Sequence, residues 1–164
     1  MKVVRFSSMV AALALVSALS ARAAFAQTAT QTVTFEVDAI NQIAVSGTPS
    51  LIINAAVAGG APTTVTSTGN TWSVTTNQTG TKITASISSA MPTGLTLSAQ
   101  LGAPSGASSA GLKSLGTTSV DLVTGITKLN ATGLSLSYQL DATAAAGVVT
   151  SSTRVVTYTI TGGV

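Results

Sequence analysis

Four carboxylates, Glu36, Asp38, Asp121 and Asp141, are the whole carboxylate inventory of a 164-residue chain that has neither His nor Cys. Thiolate and imidazole metal sites, Cys nucleophiles and a Ser-His-Asp apparatus are therefore excluded for this chain alone. Glu36 and Asp38 stand at i and i+2 of an alternating segment, which would put them on one strand face about 6.5–7 Å apart. Paired carboxylates at that spacing can act on a glycosidic bond. Acids on an outward strand face also solubilise it and keep an edge from unwanted pairing, and that is the role expected here. Asp121 and Asp141 fall near the ends of predicted strands, where loop carbonyls could complete a calcium (Ca2+) site. The spaced acidic pattern of a calcium loop is missing, so no cofactor is expected. Ser and Thr are plentiful but have no adjacent base to activate them. Gly59-Gly60 and Gly162-Gly163 lack the strand-loop-helix setting of a phosphate cradle. Asn77-Gln78-Thr79 and Asn130-Ala131-Thr132 match the short N-glycosylation pattern.

The elements that would carry these residues are strands. From residue 27 onward Thr and Ser supply 45 of 138 residues, and branching at Cβ suits Thr and Val to a pleated surface. Apolar residues recur with period two at Val33/Phe35/Val37, Trp72/Val74, Ile83/Ala85/Ile87, Leu95/Leu97/Ala99/Leu101, Val120/Leu122, Leu134/Leu136/Tyr138/Leu140 and Val156/Tyr158/Ile160. The first of these predicts a strand over about 31–40. Leu51-Ile52-Ile53 reads as a short strand covered on both faces. Gly- and Pro-containing clusters separate the runs, among them Gly59-Gly60-Ala61-Pro62, Thr68-Gly69-Asn70, Asn77-Gln78-Thr79-Gly80 and Ala131-Thr132-Gly133. Each can reverse the chain. Residues 103–111 read as a loop, and Ala144-Ala145-Ala146 as one helical turn. The fold class expected is all-β, an antiparallel Ig-like or pilin-like sandwich of about seven to nine strands.

The first 26 residues read as a secretory signal peptide. Lys2 and Arg5 precede an apolar run from Met9 to Leu19, and Ala24-Phe25-Ala26 is a cleavage site of the A-x-A kind. The run is too short for a transmembrane helix, which needs about 20 apolar residues. The expected organisation is thus a signal over 1–26, a single sandwich domain over 27–164, and a protein outside the cytoplasm that does not span a membrane once cleaved.

Removing the signal alters the charge. Of the seven bases, Lys2, Arg5 and Arg22 leave, so the formal +3 of the whole chain falls to zero. Lys82, Lys113, Lys128 and Arg154 make no patch able to neutralise a row of phosphates, and nucleic acid is excluded as a partner.

Trp72, on a strand beside Val74, reads as a core anchor; its rival role is an exposed glycan contact. Val33, Phe35 and Val37 read as a subunit-pairing strand. Such a segment either folds back on its own sheet or adds to the edge of a neighbour, with backbone hydrogen bonds for affinity and alternate side chains in pockets. A head-to-tail contact of that kind does not close and makes a fibre.

The signal ending, the strand Val33 to Val37, the Thr/Ser/Gly-rich body and the closing strand Arg154 to Thr161 together resemble secreted bacterial fimbrial or surface β-sandwich subunits. The chain departs from chaperone–usher pilins in lacking a Cys pair, and in having Tyr158 six residues from the end where those carry a penultimate aromatic. The resemblance implies a non-enzymatic structural or adhesive surface protein whose partners are other copies of itself or related surface proteins. A secreted carbohydrate-binding module is the alternative. A small outer-membrane β-barrel is the third, opposed by a chain with four aromatics after residue 26, too few for two girdles.

Overall fold

The computed structural model describes residues 26–164; the signal-peptide reading of 1–26 falls almost wholly outside them. Residues Val37–Val164 form one compact unit.

Nine strands occur among the described residues: β1 (Asn41–Ser46), β2 (Val65–Thr76), β3 (Thr81–Ile87), β4 (Leu95–Leu101), β5 (Ser108–Ser109), β6 (Lys113–Ser114), β7 (Val120–Ile126), β8 (Leu129–Ala142) and β9 (Val156–Thr161). They build two antiparallel sheets, one in the order β1-β2-β8-β4-β6 and the other in the order β5-β7-β3-β9. The expected class, an antiparallel all-β fold with two sheets, is what the chain adopts. Ala144–Ala146 form a 3-10 turn where the alanine run predicted one.

Period two explains the core. On β3, Ile83, Ala85 and Ile87 point inward, as do Leu97, Ala99 and Leu101 on β4, and Leu136 and Tyr138 on β8. These join Trp72, Val74, Leu122, Val123 and Ile126 in a single cluster between the sheets. Both sheets bury one face and leave the other to Thr and Ser, the arrangement that gives an antiparallel strand its alternation.

Two of the turn signals lie inside strands. Between Ser67/Tyr138 and Asn70/Leu136, β2 takes three steps to β8's two; between Trp72/Leu134 and Val74/Ala131 the excess is on β8. Gly69 (φ +82°) and Gly133 (φ +67°) sit at these irregularities. A bulge and a tight turn make the same demand for positive φ, which is why sequence alone reads both as reversals.

Two strand expectations are corrected. Residues 26–40 pair with no strand and are exposed throughout, and the first strand, β1, begins at Asn41. Alternation encodes which side chains share a face; a strand also needs a neighbouring backbone to satisfy its N–H and C=O groups. Leu51-Ile52-Ile53 is likewise not a strand: Leu51 and Ile53 are half-buried and Ile52 faces solvent. The two-residue strands β5 and β6 are too short to show a period.

Candidate functional site

Among the exposed large apolar residues, which also include Val57, Val148 and Val164, three alternate along one segment. Val33 is 73% exposed, Phe35 89% and Val37 77%. They occupy the unpaired stretch that ends at β1, and the point where that stretch joins the body is held firmly. The Asn77 side chain accepts from the Ile40 amide at 2.8 Å and donates to the Asp38 carbonyl at 2.7 Å, while the Asn77 amide donates to the Ile40 carbonyl at 3.2 Å. Asn77, singled out in sequence for a glycosylation pattern, thus uses its amide nitrogen inside the fold.

A second feature lies on β9. This strand ends its sheet, bonded to β3 on one side with the ladder Ile83/Ile160, Ala85/Tyr158 and Ile87/Val156, and its other edge carries no strand. Val156, Tyr158 and Ile160 point inward and are partly buried, packed against the core cluster. β1, the terminal strand of the other sheet, touches β9, so the two open edges lie on one side of the body. A cleft of about 360 Å³ opens there, its walls formed by Val45 of β1, Leu97 of β4, Tyr138 and Leu140 of β8, and Val156 and Tyr158 of β9.

Arg154 also lines this cleft. Its guanidinium donates twice to the Ala90 carbonyl, at 3.2 Å from Nε and 3.0 Å from Nη2. Inside, Tyr158 donates its hydroxyl proton to Tyr138 at 2.7 Å. Burial pushes both phenols above their ordinary value; for Tyr158 the bond to Tyr138 and the charge of that neighbour add to the rise, while for Tyr138 the same bond partly offsets it.

The remaining candidates are dispersed. Trp72 is 1% exposed and donates from Nε1 to the Gly102 carbonyl at 3.1 Å; it is a core residue, and its ring offers no face to a sugar. Asp121, on β7, pairs with Lys82 at 3.0 Å, both side chains close to half-exposed. Asp141, on β8 of the other sheet, accepts from the Thr64 hydroxyl at 2.5 Å and from the Gln139 amide at 2.9 Å; these bonds, the Thr64 bond foremost, hold its carboxyl below the usual range. The two aspartates therefore do not converge, and among the described residues no group of three His, Cys, Asp or Glu side chains comes together. Glu36 and Asp38 lie in the exposed unpaired stretch.

The sequence reading passed over Arg154 as a site residue and read Val156 to Ile160 simply as a closing strand. Its alternation was visible; the vacancy of its outer edge was not, since an edge is defined by which strands fail to arrive. Likewise the two sheets end in the edges β1, β6, β5 and β9, whereas a strand-built membrane protein closes its sheet so that no edge is left. No helix among the described residues is long and apolar enough to cross a membrane. Compared with family models, curated proteins and solved structures, the chain has no significant match.

Proposed function

We propose that this protein is a non-enzymatic, extracytoplasmic structural or adhesive surface subunit, an Ig-like or pilin-like sandwich that assembles with other copies of itself or with related surface proteins through the segment bearing Val33, Phe35 and Val37. One observation carries the reading: three alternating apolar side chains stand in solvent on a stretch with no strand partner. Exposed apolar patches on soluble proteins mark interaction sites, and an alternating stretch is suited to strand addition, in which backbone bonds bind and every second side chain enters a pocket. The near absence of charge on the body and the dispersal of its carboxylates favour packing over turnover.

Sedimentation velocity and negative-stain microscopy test this. The native protein is expected to form concentration-dependent assemblies, and Phe35→Asp to stay monomeric with an unchanged circular dichroism spectrum, since Phe35 supports nothing in its own fold. A native protein that remains a strict monomer at every concentration overturns the reading.

A further inference from the structure

We infer that the cleft beside β9 binds a small amphipathic anion, a single carboxylate on an unbranched apolar chain, with the Arg154 guanidinium holding the carboxylate and Val45, Leu97, Leu140 and Val156 enclosing the chain. The site needs nothing from the 33–37 segment, so it stands or falls apart from the assembly reading.

Arg154 brings the charge, and its surroundings fix where that charge is. A guanidinium carries five N–H donors. Three are spent: Nε and Nη2 donate to the Ala90 carbonyl at 3.2 and 3.0 Å, and Nη1 donates to the Thr153 carbonyl at 2.8 Å. One N–H on each terminal nitrogen is left over. Both acceptors already engaged are neutral, Lys82 and Asp121 form the only ion pair among the described residues, and no carboxylate lines the cleft. The half-buried Arg154 thus presents a positioned, uncompensated charge. A donor held in place loses little freedom on binding, and two N–H groups of a guanidinium match the two oxygens of a carboxylate.

Period two sets the apolar wall next to that charge. Arg154, Val156 and Tyr158 occupy alternate positions, and the Ser88 amide bonds to the Val155 carbonyl at 2.9 Å, so the backbone continues the β3 ladder up to Arg154. In extended chain Val156 stands about 6.5 Å from Arg154 between Cα atoms and Tyr158 about 13 Å. All three line the cleft, with Val45, Leu97 and Leu140 contributed by other strands. At about 360 Å³ the cleft is at the small end of ligand pockets, which suits one short chain.

Hydrogen-bonding capacity selects the same class. Tyr138, in the cleft wall, accepts the Tyr158 proton, and no described residue accepts its own. Like Arg154, it has a donor to offer. An ionised carboxylate only accepts, whereas an ammonium only donates. A polyol would leave most of its hydroxyls against Val45, Leu97, Leu140 and Val156 without partners.

Titration of the isotope-labelled native chain with octanoate, followed by amide NMR shifts, tests the site. Octanoate is expected to saturate one site and to shift amides of residues 154–158 together with Leu97 and Leu140. Hexanoate should bind more weakly by about fourfold for each of the two methylenes lost. 1-Octanol and octylammonium, equal in length but lacking the carboxylate, should each bind at least about tenfold more weakly than octanoate. Arg154→Gln should hold octanoate no better than 1-octanol. Since Arg154 also braces Ala90, Val45→Glu gives a second measure: Val45 is exposed on the terminal strand of its sheet, and a carboxylate there should weaken octanoate more than 1-octanol in a folded protein. Lys113→Gln, on β6 outside the cleft, should bind as the native chain does. No saturable binding of octanoate at millimolar concentration, equal binding of 1-octanol, shifts confined to residues elsewhere, or octanoate affinity unchanged in folded Arg154→Gln or Val45→Glu overturns the proposal.

Discussion

The hydroxyls of Tyr158 and Tyr138 meet at 2.7 Å, with Tyr158 donating, and so tie β9 of one sheet to β8 of the other at the wall of the open cleft. Tyr138 is only 7% exposed. A polar contact in this position spares both hydroxyls the cost of entering an apolar interior unpaired.

The pair gives the fold an alkaline limit. Both phenols hold their protons to higher pH in the folded state than in the unfolded chain, where they titrate near pH 10. Below that value both states are protonated and the contribution of the pair is complete. Above it the unfolded chain releases protons that the folded one retains, so stability falls as pH rises. Thermal unfolding followed from about pH 8 to about pH 11 should show a steeper alkaline decline in the native protein than in Tyr138→Phe/Tyr158→Phe.

Breaking the pair from one side is expected to cost more than removing it. Tyr158→Phe leaves the Tyr138 hydroxyl enclosed without its donor, a loss of about 1–3 kcal/mol, whereas replacing both partners by apolar groups of the same shape is close to neutral. Denaturant melts of the two single variants and the double variant measure this, and a double variant weaker than both singles would contradict it.

Trp72 should behave as a core residue. Trp72→Ala is expected to destabilise by about 3–5 kcal/mol, and the single Trp of the chain should emit at short wavelength until the protein unfolds. A variant that melts like the native protein but loses binding to a glycan would instead place the indole at a surface.

Much of the architecture was legible in period-two patterning. Ile83, Ala85 and Ile87, or Leu97, Ala99 and Leu101, fall on the buried faces that alternation assigned them, because burying one face of a sheet requires every second residue to be apolar. β1 was harder to see: Ile43 and Val45 alternate over only six residues, and Val45 stays half-exposed at the open edge. The bulges at Gly69 and Gly133 were invisible for a different reason, since positive φ marks a change of backbone direction without saying whether the chain reverses or continues.

For the site, the sequence by itself determined the apolar alternation of Val33, Phe35 and Val37, the scarcity of charge and the lack of imidazole and thiol groups, all properties of residue type and spacing. Only the tertiary structure decided that this segment finds no partner strand, that Trp72 is enclosed, that Asp121 and Asp141 part to different sheets, and that β9 ends its sheet beside a cleft. Each of these depends on which strands become neighbours across many residues of intervening chain, and an open edge is a relation between strands that no local pattern contains.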